Sequence, residues 1–317
     1  MKFALVFPGQ GSQSIGMMAA YGDSPIIRKT FDEASNALGR DLWQLATDGP
    51  AEALSQTVNT QPLMLTAAIA AYRLWQEKGG PAPAMVAGHS LGEYSALVAA
   101  GVIAFTDAVP LVEFRAQAMQ GAVAAGVGGM AAILGLDAEA VKAACATAST
   151  GGEVVQAVNF NEPKQTVIAG HTAAVQRAAD ACKEAGAKRA VILAVSAPFH
   201  STLLQPAADK LRAKLDTVTF NAPQIPLINN VDVAIETDPA RIKDALVRQA
   251  ASAVRWVETM QAMAAQGVTS VYECGPGKVL AGLTKRCVDT LGGGAMADLA
   301  GIEAAIDAIK AAVKENP

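Results

Sequence analysis

Short, mainly apolar runs at 3–7, 84–87 and 268–272 punctuate longer segments in which apolar residues recur at helical spacing. Such runs, closed by glycine turns and alternating with helices, predict strands buried on both faces and hence a parallel sheet. The three predicted strands end at Gly9-Gln10-Gly11, Gly88-His89-Ser90 and Gly275-Pro276-Gly277. Ligands of α/β folds gather outside the carboxyl ends of their strands, so three distant segments point at one edge.

The rhythm changes in the middle of the chain. Met130 to Gly135 reads as a strand, Ala138 to Ala148 as a helix, and Val154 to Val158 and Gln165 to Ala169 as two strands. A helix from about Ala173 to Ala185 and a strand from Arg189 to Val195 follow. This β-α-β-β-α-β order is that of a ferredoxin-like unit. The unit is entered through Gly126 to Gly129 and left near Ser196-Ala197-Pro198. The predicted architecture is a large α/β-hydrolase-like, three-layer body (1–126 and 197–317) with a small ferredoxin-like subdomain (127–196) inserted in it. The cleft between them is the expected site.

Composition narrows the function classes. With 317 residues, 51% of them apolar, the chain can bury a large core; 17% charged residues and a net charge of −4 give no basic field for nucleic acid or membrane. The apolar stretch Ala122 to Leu136 is broken by glycines and too short to span a bilayer. Met1-Lys2 runs directly into a strand pattern without a signal-peptide core, so a cytoplasmic protein is expected. The four cysteines, Cys145, Cys182, Cys274 and Cys287, are far apart and read as reduced, buried packing residues.

Gly88-His89-Ser90-Leu91-Gly92 fits G-x-S-x-G between an apolar strand and the helical stretch Leu91 to Ala100. In a strand-to-helix elbow the serine hydroxyl is thrust outward and the N–H of the next residue, Leu91, faces the developing oxyanion. A serine at a helix start also serves as an N-cap, but strand, elbow and helix together favour a nucleophile. Ser90 needs a base, and only three histidines are present. His89 projects away from its neighbour and is a packed or orienting residue; His171 closes a strand of the inserted unit. His200, where the chain re-enters the body, is the expected base. No acid other than Asp209 lies within ten residues of it, which leaves a backbone carbonyl to hold Nδ1–H in a Ser-His dyad.

These motifs together resemble the bacterial malonyl-CoA:acyl carrier protein transacylases of fatty-acid synthesis and the related acyltransferase domains of polyketide synthases. The likeness spans nearly the whole chain. It rests on Phe7-Pro8-Gly9-Gln10-Gly11-Ser12-Gln13, Gly88-His89-Ser90-Leu91-Gly92-Glu93-Tyr94-Ser95-Ala96-Leu97, Arg115, Pro198-Phe199-His200-Ser201, Gln249 with Val254-Arg255-Trp256, and Glu273-Cys274-Gly275-Pro276-Gly277. The resemblance implies Ser90 as acyl carrier, His200 as base, Gln249 as the residue whose carbonyl orients it, and the N–H groups of Gln10 and Leu91 as oxyanion hole. Arg115 would grip the malonyl carboxylate, with Phe199, His89 and Gln10 also against the substrate; Phe199 matches the malonyl-selective form of its motif. Ser196-Ala197-Pro198 departs from common malonyl patterns.

Arg115 has support from the pattern itself. On the helix predicted from about Asp107 to Gln120 its neighbours at i−4, i+3 and i+4 are Leu111, Ala118 and Met119, an apolar face on which an arginine needs a partner. A distant structural carboxylate is one such partner; a substrate carboxylate gripped in bidentate fashion is the other. The implied reaction is malonyl transfer from malonyl-CoA to the phosphopantetheine thiol of acyl carrier protein through a malonyl-Ser90 ester. Both half-reactions exchange a thiol for an alkoxide, so no cofactor or metal is expected. The partners implied are acyl carrier protein and malonyl-CoA, with no nucleic acid or membrane, and the enzyme is expected to be a monomer. Lys183, Lys188, Arg189, Lys210, Arg212, Lys214, Lys285 and Arg286 are candidates to dock an acidic carrier protein.

The alternative is a serine thioesterase or hydrolase of acyl thioesters, because the same elbow and base serve water; Arg115 and the inserted unit weigh against it. A dinucleotide-binding reading of Gly9-x-Gly11 fails at Ser14, where a third glycine is needed, and Asp32 lies in a helical run. Gly275-Pro276-Gly277-Lys278 lacks P-loop spacing. An idle scaffold is disfavoured by the presence of Ser90, His200 and Arg115 together.

Overall fold

The computed structural model describes residues 1–195 and 197–315. Its strands are β1 (Phe3–Phe7), β2 (Met85–Gly88), β3 (Gly128–Leu134), β4 (Val155–Glu162), β5 (Gln165–His171), β6 (Arg189–Ile192), β7 (Ser270–Cys274) and β8 (Gly292–Met296). They form two sheets, a parallel one in the order β2-β1-β7-β8 and an antiparallel one in the order β4-β5-β3-β6.

β1 lies inside the parallel sheet and all five of its residues are buried. Its period-two alternation sends Phe3, Leu5 and Phe7 into one core and Ala4 and Val6 into another on the opposite face. The large side chains meet the helix Thr57–Glu77, which is buried on every side from Gln61 to Tyr72 and so shows no polar stripe. Phe3 and Phe7 meet Trp75 and Tyr72 with ring centroids 6.1 Å apart in each pair. The small residues on the other face admit Trp256, Met260 and Met263. β8, Gly-Gly-Gly-Ala-Met, was not among the predicted strands: nothing in its side chains favours a strand, and it exists by pairing with β7.

Where the parallel sheet meets the next helix, the backbones touch. A Cβ on Gly88 would lie 1.8 Å from the Gly92 carbonyl oxygen, and one on Gly92 2.1 Å from that of Phe7. Because the obstacles are backbone atoms, Gly88→Ala is expected to destabilise the fold by about 3 kcal/mol or more, the upper end for overpacking. A midpoint in urea unchanged from wild type would refute that closeness.

The antiparallel sheet alternates between two partners. Ala131, Ile133, Val155 and Ile168 face the helices Ala138–Ala148 and Thr172–Glu184. Met130, Val158, Val167 and Ala169 face Ala118, Met119, Phe199 and Leu204 of the body. The predicted order of elements is observed, with ends shifted by a few residues. β4 runs past the predicted Val158 to Glu162, with bulges, because Phe160 N–H donates to Val254 O (3.0 Å) and Val254 N–H to Val158 O (2.8 Å), tying the strand to the body. β6 stops at Ile192 rather than Val195; among the described residues only Leu193 N–H continues the ladder, to Met130 O. A Cβ on Gly128 would meet the Pro198 ring at 2.4 Å, so the two crossings between sheet and body lie against each other. Ser196, the last residue of the predicted insertion, lies outside the described residues.

All four cysteines are free and buried. Burial pushes the Cys274 thiol up, as expected of a packing residue. Among the described residues, no helix is long and apolar enough to cross a membrane.

Candidate active site

Ser90 sits at the turn between β2 and the helix Gly92–Ala99 with φ 53°, a left-handed conformation unusual for a residue with a side chain. Two hydrogen bonds hold it there. Ser90 N–H donates to Asn230 Oδ1 (2.8 Å), and Asn230 Nδ2 donates to Gly88 O (2.7 Å), so one amide spans the elbow. The first turn after β1 lies on the same spot: a Cβ on Gly9 would be 2.6 Å from His89 O and 3.9 Å from Leu91 N. Neither Gln10 N–H nor Leu91 N–H has a partner among the described residues. The Gln10 side chain donates to Thr57 Oγ1 (3.1 Å).

His200 Nε2 stands 2.7 Å from Ser90 Oγ, and its Nδ1 2.8 Å from the backbone oxygen of Gln249. A carbonyl can only accept, so Nδ1 carries the hydrogen and Nε2 is left with a lone pair toward the serine. His200 also has a positive φ, 67°. Burial first, and then the Arg115 charge, push its pKa down to about 3, against the pull of the Gln249 carbonyl. With its pKa so lowered, the imidazole is neutral at ordinary pH and able to accept a proton. The acid limb of kcat/KM is expected to lie below pH 5 rather than near 6.5; a fall of half or more between pH 7 and 6 would contradict this assignment.

Arg115 is 1% exposed on the helix Phe105–Gln120. Its Nη1 donates to Gln61 Oε1 (2.8 Å), and its Nη2 to Gln249 Oε1 (2.9 Å) and to Ser90 Oγ (3.2 Å). Its guanidinium lies over the Tyr94 ring at 5.2 Å, and its buried Nε has no hydrogen-bond partner among the described residues. It forms no ion pair with an Asp or Glu among the described residues, which leaves the distant structural carboxylate weighed above unobserved.

His89 turns away from Ser90: its Nε2 meets Asn161 Oδ1 at 2.7 Å and its ring lies 5.4 Å from that of Trp256. His171 is remote from the elbow, its Nδ1 accepting Val154 N–H (2.9 Å) within the antiparallel sheet. Ser90, His89, Leu91, Gln10, Arg115, Phe199 and His200 line one cleft. Its opposite wall comes from the antiparallel sheet and its exit, including Met130, Asn161 and Val167. Four residues of the network carry no predicted role. Asn230 and Asn161 gave no signal in sequence. Gln61, a polar residue at the edge of the mainly apolar run 62–72 of its helix, was detectable in principle. Glu93 stood in the motif, but its burial beside Gln249 is a property of the fold.

A hydroxyl bonded to a neutral imidazole, raised on a strained elbow beside unpaired N–H groups, is the equipment of a serine acyl-transfer enzyme. The family model for the acyl transferase domain matches residues 4–307, and the chain belongs to that family. The "Malonyl CoA-acyl carrier protein transacylase" of Escherichia coli K12 is 58% identical over 307 residues, 96% of this chain and 99% of the relative. Among solved structures, an acyl-carrier-protein S-malonyltransferase from Burkholderia pseudomallei is 62% identical with TM-score 0.95, covering 97% of this chain and 100% of the other. A malonyl-transacylase solved in complex with its type II PKS acyl-carrier protein is 53% identical, again with TM-score 0.95 and with 97% and 100% covered.

Proposed function

We propose that the chain transfers malonyl from malonyl-CoA to the phosphopantetheine thiol of an acyl carrier protein. The observation that carries the reading is Arg115, a buried cation without an ion pair among the described residues, 3.2 Å from the hydroxyl that would bear the acyl group. An acyl group ending in a carboxylate supplies the missing charge at that distance. Ser90 Oγ attacks the thioester carbonyl as His200 Nε2 takes its proton; the N–H groups of Gln10 and Leu91 receive the oxyanion, and the coenzyme A thiolate leaves with the proton from His200. The carrier-protein thiol then attacks the malonyl-Ser90 ester with His200 again as base, releasing the Ser90 hydroxyl. The Gln249 carbonyl keeps the tautomer correct through both halves. No step asks for a metal or redox group. His89, packed on Trp256 and Asn161, shapes the wall behind the nucleophile, and Phe199 closes the acyl end.

We read the architecture as an α/β-hydrolase-like body (1–126 and 197–317) with a ferredoxin-like insertion (127–196), on the strength of the β4-β5-β3-β6 order and the paired crossings at Gly128 and Pro198. A monomer suffices, since one chain supplies every group named. For the carrier protein, Arg212 and Arg286 are engaged with Asp244 and Glu162, and Lys183 faces Asp180, whereas Lys188, Arg189, Lys210, Lys214 and Lys285 have no ion pair among the described residues. Reversing Lys285 and Arg286 to Glu is expected to raise the carrier-protein KM and flatten its salt dependence; unchanged values would move docking to another face.

The deciding experiment is intact-mass spectrometry after mixing with malonyl-CoA. A malonyl adduct on Ser90, weak with acetyl-CoA and discharged by carrier protein in ping-pong kinetics, is expected. Release of free malonate at a rate matching transfer would return the hydrolase reading, which the transacylase relatives do not favour.

A further inference from the structure

Gln249 does more than hold His200. Its side-chain amide stands between two buried charges. On one side Oε1 accepts from Arg115 Nη2; on the other Nε2 faces only acceptors, Glu93 Oε2 at 2.9 Å, Ser90 O at 3.0 Å and Asn230 Oδ1 at 3.3 Å. Those acceptors fix the polarity of the amide, because a flipped Gln249 would set its NH2 against the guanidinium. Glu93 is 2% exposed, its Oε2 also accepts Asn230 N–H (3.2 Å), and it forms no ion pair among the described residues. The free site thus holds one buried cation and one buried carboxylate, joined through an amide rather than touching.

A malonyl carboxylate bound at Arg115 adds a second anion to a pocket with one cation. Two buried carboxylates near a single positive charge do not both stay ionised when solvent is excluded. We propose that Glu93 is a positioning and affinity-setting residue: it anchors the Gln249 amide that aims Arg115, and its carboxylate takes up one proton from the solvent when malonyl binds. This inference rests on the malonyl reading given above. It assigns Glu93 a role in release as well as loading, since an ionised Glu93 competes with the malonyl carboxylate for Arg115 and keeps binding from becoming too tight.

The charged and titratable groups that act on Glu93 are Tyr94 on its own helix, Arg115, and Asp232 in the neighbouring loop; His89 and His200 are the histidines that line the same cleft. Burial pushes Tyr94 up to about 12, and Asp232 is held low by Arg248. Burial also holds both histidines low, His200 at about 3. Glu93 itself is pushed up to about 7 by burial, against its hydrogen bonds and the Arg115 charge. It is the group of this set that changes charge near neutrality.

The test is the KM for loading malonyl-pantetheine, which lacks the titrating phosphates of coenzyme A, between pH 6 and 8.5. For wild type, KM is expected to rise above pH 7, toward about tenfold per pH unit at the limit where the two carboxylates exclude each other. Glu93→Gln, permanently neutral, is expected to keep KM low and flat, so that at pH 8 it lies up to about tenfold below wild type. Glu93→Asp keeps the charge and is expected to keep the slope even where kcat falls. A wild-type enzyme that loads malonyl with pH-independent KM, or a Gln variant that keeps the full slope, overturns the inference alone. A wild-type enzyme that takes no malonyl overturns the malonyl reading with it.

Discussion

Ser90→Ala is expected to abolish the malonyl adduct and to lower transfer by on the order of 10⁴- to 10⁶-fold, with a protein that folds as before. The hydroxyl is the only atom lost, and the elbow is held by the backbone N–H of Ser90 on Asn230 and by Asn230 on Gly88, neither of which uses Oγ. His200→Ala is expected to fall nearly as far, and the double variant little further, because nucleophile and base act as one unit across a 2.7 Å contact. Intact-mass spectrometry reads the adduct and a stopped assay the rate. An independent, multiplicative loss for the two substitutions would mean that His200 is not the group deprotonating Ser90.

Much of this unit was legible because the relevant signals are local. Phe3-Ala4-Leu5-Val6-Phe7 is apolar on both faces, and a strand so made has to be covered on both, as β1 is. The elbow is written in a glycine on each side of Ser90, and both glycines are needed because backbones approach within a Cβ of each other. With three histidines, elimination alone pointed to His200, although the carbonyl that orients it came from the family resemblance. The network behind these groups was not legible. Gln61 reaches Arg115 across 54 positions and Asn230 reaches Ser90 across 140, so each pairing exists only once the sheet has brought distant segments together. Glu93 stands in the Gly88 to Leu97 motif with no role assigned to it from sequence. Only the fold buries it beside Gln249. β8 was invisible for the opposite reason, since its glycines carry no pattern and its register is imposed by β7.

Arg115→Ala is expected to lower kcat/KM for malonyl-CoA by about 30- to 1,000-fold while changing acetyl-CoA loading little, so that the variant prefers neither strongly. The magnitude follows from the interaction removed: hydrogen bonds between a buried guanidinium and a carboxylate contribute about 2 to 4 kcal/mol. The same reasoning explains why wild type should reject acetyl. An acyl group without a carboxylate leaves the Arg115 guanidinium with neutral acceptors, the amide oxygens of Gln61 and Gln249 and the Ser90 oxygen, and with Glu93 reached only through the Gln249 amide, so the buried charge gains no direct counter-ion. Arg115→Lys separates charge from geometry. A single ammonium cannot meet Gln61, Gln249 and a two-oxygen ligand at once, so it is expected to recover a minor part of the malonyl rate and to leave selectivity poor. Competition between malonyl- and acetyl-CoA for Ser90, read as the ratio of the two adducts by mass, measures the effect directly. Were the Ala variant to keep a wild-type ratio, the selectivity would have to come from the apolar wall at Phe199 and Met130, and Arg115 would be a structural cation held by two glutamines.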